Sequence, residues 1–256
     1  MTQPFRIGKR LFTASILAFA VSAAFAADTG PAPDPQALVA AADAVRFPRD
    51  SFQVDIDILS RSADDPEGES RRYRVLSKGN DDTVILTMEP ASERGQILLM
   101  SGRNLWVFMP SVSQPVRLSL AQRLTGQVAN GDLARANFAG DYTPTYVGED
   151  TIDGEPAHVL ELTAVDGSVT YAKVKYWIGR DDNHPLKAEF YAVSGRLLKT
   201  CRYEDFKKMA GTLRPTRLVM TDALKSGDVS TLTYRAMTPR PLPNKLFTKD
   251  YLKKLN

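Results

Sequence analysis

The sequence predicts a mainly β protein: a single domain on one strongly curved antiparallel sheet or incomplete β-barrel, with an N-terminal helix and a short helical lid. Three observations carry this reading. From residue 52 the apolar residues recur with period 2, as in Phe52-Gln-Val54-Asp-Ile56-Asp-Ile58, the mark of strands with one buried face. About a dozen such runs follow at short spacing, punctuated by Gly, Asn, Asp and Pro turns. Helical periodicity survives in only two places, ahead of the first strand and in the middle of the chain. The chain has 256 residues, with no internal repeat and no Pro/Gly linker, which suits one domain.

The elements follow in order. Arg6, Lys9 and Arg10 precede an apolar run at 11–21, and Ala24-Phe25-Ala26 completes a small-x-small cleavage pattern. Residues 1–26 therefore read as a signal peptide cleaved after Ala26, since the run is too short to span a bilayer. Residues 27–33 read as a flexible leader, and 34–256 as the folded domain. Asp34 and Pro35 suit the N-cap and first position of a helix over 36–45, with Leu38, Val39, Ala42 and Val45 on one face and Pro48 ending it. Strands are predicted at 52–58, 71–77, 83–88, 95–101 and 104–109, the last two a hairpin about Gly102-Arg103. Ser119 suits the cap of a broken helix on which Leu120, Leu124 and Val128 fall at i, i+4 and i+8. Strands resume at 157–163, 169–178, 186–192, 197–205, 213–221 and 229–236, and 247–255 closes the chain as a tail.

Lys and Arg number 33 against 30 Asp and Glu, a net charge of +3 and a pI near 8.9. Three of those cations sit in the predicted signal peptide, so the mature chain balances at 30 against 30. That removes the case for a nucleic-acid partner. Cys201 stands alone, which forbids an intramolecular disulfide. The two histidines, His158 and His184, are not at ligand spacing, and the sequence holds no Gly-rich phosphate loop, Cys pair or nucleophile elbow. No catalytic residue, metal or cofactor is expected, and no enzyme activity.

What stands out is apolar surface. Residues 97–100 and 105–109 are apolar on both faces, so both must be covered. Reading inward positions by alternation gives Phe52, Val54, Ile56, Leu86, Met88, Leu98, Met100, Trp106, Phe108, Phe190, Met220 and Tyr234. They form either an ordinary barrel core or the lining of an apolar ligand cavity, where methionine suits an adaptable ligand. Leu120, Leu124 and Val128 then form the lid over its mouth.

Two stretches carry a family resemblance. Arg94-Gly95-Gln96-Ile97-Leu98-Leu99-Met100, followed by Gly102-Arg103-Asn104-Leu105-Trp106-Val107-Phe108-Met109-Pro110-Ser111, resembles the central hairpin of the LolA-like outer-membrane lipoprotein-sorting proteins. Tyr176-Trp177-Ile178, Pro185-Leu186-Lys187-Ala188-Glu189-Phe190-Tyr191 and Ser194-Gly195-Arg196-Leu197-Leu198-Lys199 are similar to a later stretch of that family, and Phe247-Thr248-Lys249-Asp250-Tyr251-Leu252 to its closing element. The likeness runs from about Asp34 to Leu252. It implies an incomplete barrel with a helical lid and a cavity that accepts acyl chains. It also implies a periplasmic monomer that shuttles the acyl chains of lipoproteins or other lipids from an inner-membrane exporter toward an outer-membrane acceptor. The alternative is a sensory or scaffold module of the same fold that binds a protein partner, with lipid as its regulator. This chain is longer than the compact carrier that gives the family its name, and it resembles a side-branch of it. It also lacks the cysteine that anchors the family's outer-membrane acceptors.

Overall fold

The computed structural model describes residues 1–2, 33–79, 81–135 and 137–253. The expected signal peptide and leader lie outside the described residues, apart from Met1, Thr2 and Pro33. Among the described residues no helix is long and apolar enough to cross a membrane.

Helix α1 (Pro35–Arg46) starts where Asp34 accepts the Gln36 amide at 3.0 Å, and Pro35 takes the first turn. There proline's missing N–H costs nothing. Six strands follow: β1 (Phe52–Arg61), β2 (Glu69–Lys78), β3 (Asp82–Glu89), β4 (Ile97–Ser101), β5 (Asn104–Phe108) and β6 (Val116–Leu118). The middle of the chain holds a small hairpin, β7 (Arg123–Thr125) and β8 (Val128–Ala129), then α2 (Asn130–Ala134) and α3 (Phe138–Asp141). Seven more strands run from β9 (Tyr142–Ile152) through β10 (Glu155–Ala164), β11 (Lys173–Gly179), β12 (Pro185–Tyr191), β13 (Leu197–Met209), β14 (Thr212–Asp222) and β15 (Val229–Pro239). A 3₁₀ turn (Asn244–Phe247) and α4 (Lys249–Leu252) end it.

Thirteen strands make one antiparallel sheet in the order β6-β5-β4-β3-β2-β1-β15-β14-β13-β12-β11-β10-β9. Each half is a meander of neighbours in sequence, and the halves join where β1 pairs with β15, Ile56 opposite Tyr234 and Ile58 opposite Leu232. The sheet stays open, with β6 and β9 as its edges. Its inner face carries α1, the β7–β8 hairpin, α2 and α3, and one apolar cluster gathers residues from all of them. The opposite face of β2–β5 carries a second cluster, in which Leu76, Val84, Ile97, Leu99 and Phe108 lie under Leu242, Phe247 and Leu252 of the C-terminal segment.

Two sequence expectations are corrected here. Leu120, Leu124 and Val128 do not share a helix, because the chain reverses at Gly126, whose φ of +48° suits glycine. The helical spacing was real, but the turn and a close approach to the sheet decide the conformation. A Cβ on Gly126 would collide with the Oγ atoms of Ser60 and Ser230. The second correction concerns β3 and β5. Leu86, Trp106 and Phe108 belong to the outer cluster, and their neighbours Ile85 and Leu105 take the inner positions. Met88 sits at a β-bulge, half-buried, in neither cluster. Strands apolar on both faces have no alternation to fix their phase. The C-terminal segment fixes it by covering one side.

Candidate functional site

The site is the inner face and its cover. Of the residues expected to line a cavity, Phe52, Val54, Ile56, Leu98, Met100, Phe190, Met220 and Tyr234 come together there, all buried. Leu120 and Val128 press onto them and Leu124 packs at the margin. The three predicted lid residues therefore lie over the inner face, Leu124 and Val128 on a hairpin and Leu120 in the turn ahead of it.

Residues 119–141 supply this cover, and polar contacts hold it down at four places. At the hairpin tip the Gln127 amide donates to Ser230 Oγ at 2.9 Å, and Ser230 in turn bonds Ser60 at 2.8 Å. On α2, Asp132 accepts from the Ala129 amide, from Tyr171 Oη at 2.8 Å and from Lys199 Nζ at 2.5 Å. Lys199 also donates to the Gln127 carbonyl at 2.6 Å. Lys199 and Asp132 are only 5% and 6% exposed, so solvent does little to screen the pair. Behind α2, Arg135 clasps both carboxylate oxygens of Asp141 at 2.5 and 2.9 Å and reaches Asp81 and the Gly102 carbonyl. Arg103 completes this clasp through Asp141, Asp166 and the Gly140 carbonyl. Finally, α1 holds α3: Asp43 accepts the Ala139 amide at 2.8 Å, and Gln36 Nε2 donates to the Ala139 carbonyl.

Sequence reasoning missed a polar centre beneath this lid. The buried face of α1 is Val39, Ala42, Asp43 and Arg46, positions i, i+3, i+4 and i+7, so a charged pair sits in the helix's core stripe. That spacing was the available signal. Arg46 Nη1 lies 3.5 Å from Asp43 Oδ1, an ion pair without a hydrogen bond. Its guanidinium faces the Phe138 ring at 4.4 Å and the Tyr203 ring at 5.8 Å, a cation–π arrangement. Asp43 Oδ1, Arg46 Nη1 and the hydroxyls of Tyr142 and Tyr176 are all buried without hydrogen-bond partners. Each such atom costs about 1–3 kcal/mol against a satisfied one. Burial drives the Asp43 carboxyl up to about 7, with Arg46 and the Ala139 amide pulling the other way. Burial also pushes the Tyr142 and Tyr176 hydroxyls up, and the Cys201 thiol to about 12.

Beneath this cover the interior holds little free space: a void of about 10 Å³ touches Arg46, Phe138, Tyr142, Tyr171 and Met220. Larger openings lie at the lid's margin. A cleft of about 470 Å³ runs between Ala164, Val169, Tyr191, Val193 and Leu198. A second, of about 190 Å³, runs along Arg123, Gly126, Val128, Lys199 and Leu224. Ala121, Tyr171 and Leu198 line both, and Tyr171 also borders the interior void.

Among the described residues no cluster of His, Cys, Asp or Glu suits a metal ion. Cys201 is fully buried with its thiol protonated at neutral pH, which leaves it inert as a nucleophile. His184 stacks on Phe206 and bonds Asp182, and His158 meets Tyr146, both away from the lid.

No curated protein matches the chain. A family model described as "-like: Uncharacterized protein" matches residues 79–254. Among solved structures, a LolA superfamily protein from Nitrosomonas europaea is 59% identical with a TM-score of 0.82, the match covering 86% of this chain and 100% of that one. An outer membrane lipoprotein-sorting protein domain from Vibrio parahaemolyticus is 20% identical, with a TM-score of 0.74 over 86% of this chain and 98% of that one. A DUF1329 family protein from Desulfovibrio piger is 20% identical, with a TM-score of 0.75 over 86% and 100%. These two share the fold, and the identity to the Nitrosomonas protein carries more: the chain belongs to the LolA superfamily.

Proposed function

We propose that this protein is a periplasmic carrier that takes up the acyl chains of a lipid or lipoprotein on the inner face of its sheet and moves them toward the outer membrane. The lid of residues 119–141 opens to admit them. The observation that carries this reading is an asymmetry in how the lid is held. Its polar fixings to the sheet and to α1 are a few hydrogen bonds and ion pairs, while most of the surface it covers is apolar. Water replaces polar fixings cheaply when they open. Bare apolar surface is tolerated only when something else covers it. Membership of the LolA superfamily points the same way.

Native mass spectrometry and lipid extraction of protein purified from its own periplasm test this. Co-purified lipid at up to one equivalent is expected. Protein that carries none, and that takes up no fluorescent fatty acid after delipidation, refutes the carrier.

A further inference from the structure

We infer that the polar centre of the inner face is a headgroup site: Arg46, with the Tyr142 and Tyr176 hydroxyls, binds the anionic head of a free lipid that enters head first. This rests on the carrier reading and narrows its cargo to an amphiphile with a carboxylate or phosphate head, in place of acyl chains attached to a protein.

The argument starts from what an apolar carrier needs. A cavity that handles hydrocarbon alone has no use for charge, and desolvating an arginine is costly. A buried guanidinium offers a planar fork of donors and keeps its charge at any physiological pH. Here Arg46 is 8% exposed, and the acid that pairs with it among the described residues, Asp43, stands at 3.5 Å without a hydrogen bond. The other buried cations differ. Lys199 is matched by Asp132 and Arg135 by Asp141, and Arg214 spends its donors on the Met209, Ala44 and Val45 carbonyls. Asp43 compensates Arg46 weakly, because burial shifts its carboxyl to about 7 and leaves it partly protonated at neutral pH.

The partnerless hydroxyls are part of the same arrangement. The Phe138 ring packs against Arg46, Tyr142 and Tyr176, with ring centroids 5.4 Å from each tyrosine. Phe138 belongs to α3 in the lid. When the lid lifts, that ring leaves and uncovers one guanidinium and two hydroxyls together. An anion in its place accepts charge-assisted hydrogen bonds from all three. The hydrocarbon then runs past Tyr171, which borders both the interior void and the 470 Å³ cleft. A chain covalently fixed to a protein enters tail first and cannot bring an anion to this depth.

The test is displacement of a fluorescent probe from the delipidated protein by oleate, oleyl phosphate and methyl oleate, which share a chain and differ in the head. Oleate or oleyl phosphate is expected to bind at least about tenfold tighter than the ester, and whichever anion binds tighter names the head. Arg46→Met should bring both anions to the ester's affinity while the ester's own affinity stays. Tyr176→Phe removes only a hydroxyl and gives the same readout if the arginine variant does not fold. It should weaken the anions several-fold and leave the ester unchanged. Equal affinity of wild type for acid and ester, or an anion preference that survives both substitutions, overturns the headgroup site and leaves the carrier standing. Failure to bind any of the three overturns the carrier as well.

Discussion

Asp132→Asn tests the lid directly. The substitution keeps the shape of the side chain and an oxygen for the Ala129 amide, and removes the charge facing Lys199. Stripping one partner from a buried ion pair costs about 3–5 kcal/mol. The lower end applies, because Lys199 keeps its bond to the Gln127 carbonyl. Asp132 lies in the lid and Lys199 on β13, so the loss falls on the closed state. Three kcal/mol raises the open population by roughly a hundredfold. Cys201, buried on the inner face of the same strand with its thiol at about 12, reports the opening. Labelling by an aromatic disulfide at pH 8 should be slow in wild type and about a hundredfold faster in the variant, with the circular dichroism unchanged. Adding Lys199→Met removes the orphaned charge, and labelling should fall back toward wild type, as replacing both partners of a buried pair tends to be neutral. A single variant that labels within threefold of wild type would show that this pair does not hold the lid.

Three further outcomes follow from the geometry. Trp106→Ala should leave fatty-acid uptake intact, because Trp106 lies on the outer face with Lys249 Nζ 3.8 Å over its ring; the check is uptake beside a urea midpoint lowered by the lost packing. Gly126→Ala should destabilise by at least about 1–2 kcal/mol, since a left-handed φ and the two serine contacts both oppose a Cβ, and it should speed Cys201 labelling as the hairpin tip lifts. Asp43 gives a pH signature whose sign follows from its raised pKa. The folded state holds that proton more tightly than the unfolded chain, so its contribution is fully present below about pH 4 and is lost as pH rises through about 7. Urea titrations from pH 5 to 8 should show stability falling more steeply with pH in wild type than in Asp43→Asn.

Much of the fold was legible because period-2 alternation survives wherever one face meets solvent. In β1 the burial pattern alternates residue by residue, as Phe52, Val54, Ile56 and Ile58 imply. What stayed hidden had physical reasons. β9 reads Tyr-Thr-Pro-Thr-Tyr-Val-Gly-Glu-Asp-Thr-Ile, an edge strand with a bulge and one buried residue, so its alternation of Tyr142, Pro144 and Tyr146 carries no aliphatic signal and stops at Gly148. The faces of β3 and β5 could not be assigned because both are buried and their cover comes from Leu242, Phe247 and Leu252, more than 130 residues later. The lid misled for the opposite reason, since Leu120, Leu124 and Val128 do reach one apolar surface, but from a hairpin and the turn ahead of it. The polar centre was written at Asp43 and Arg46 in the helix stripe. Local sequence cannot say that Tyr142, Tyr176 and Tyr203 surround that stripe from three separate strands.

The closed interior is also consistent with a carrier, because exchange between lid and cargo comes out nearly balanced. The large apolar groups that the lid buries fully in the core are Leu120, Val128, Leu133 and Phe138. At about 1.5–3 kcal/mol each, their burial contributes roughly 6–12 kcal/mol. A chain of about a dozen methylenes contributes roughly 10 kcal/mol on the same surface, at ~0.8 per CH₂. Cargo therefore replaces the lid's side chains at little net cost, which a protein that must both load and release requires. A permanently open cavity of the same area would gain the full 10 kcal/mol on binding and hold its lipid too tightly to deliver it. A lid packed more richly against the sheet would stay shut. The side chains of residues 119–141 set this balance, and the bonds to Ser230, Lys199, Arg103 and Asp43 set how often it is tried.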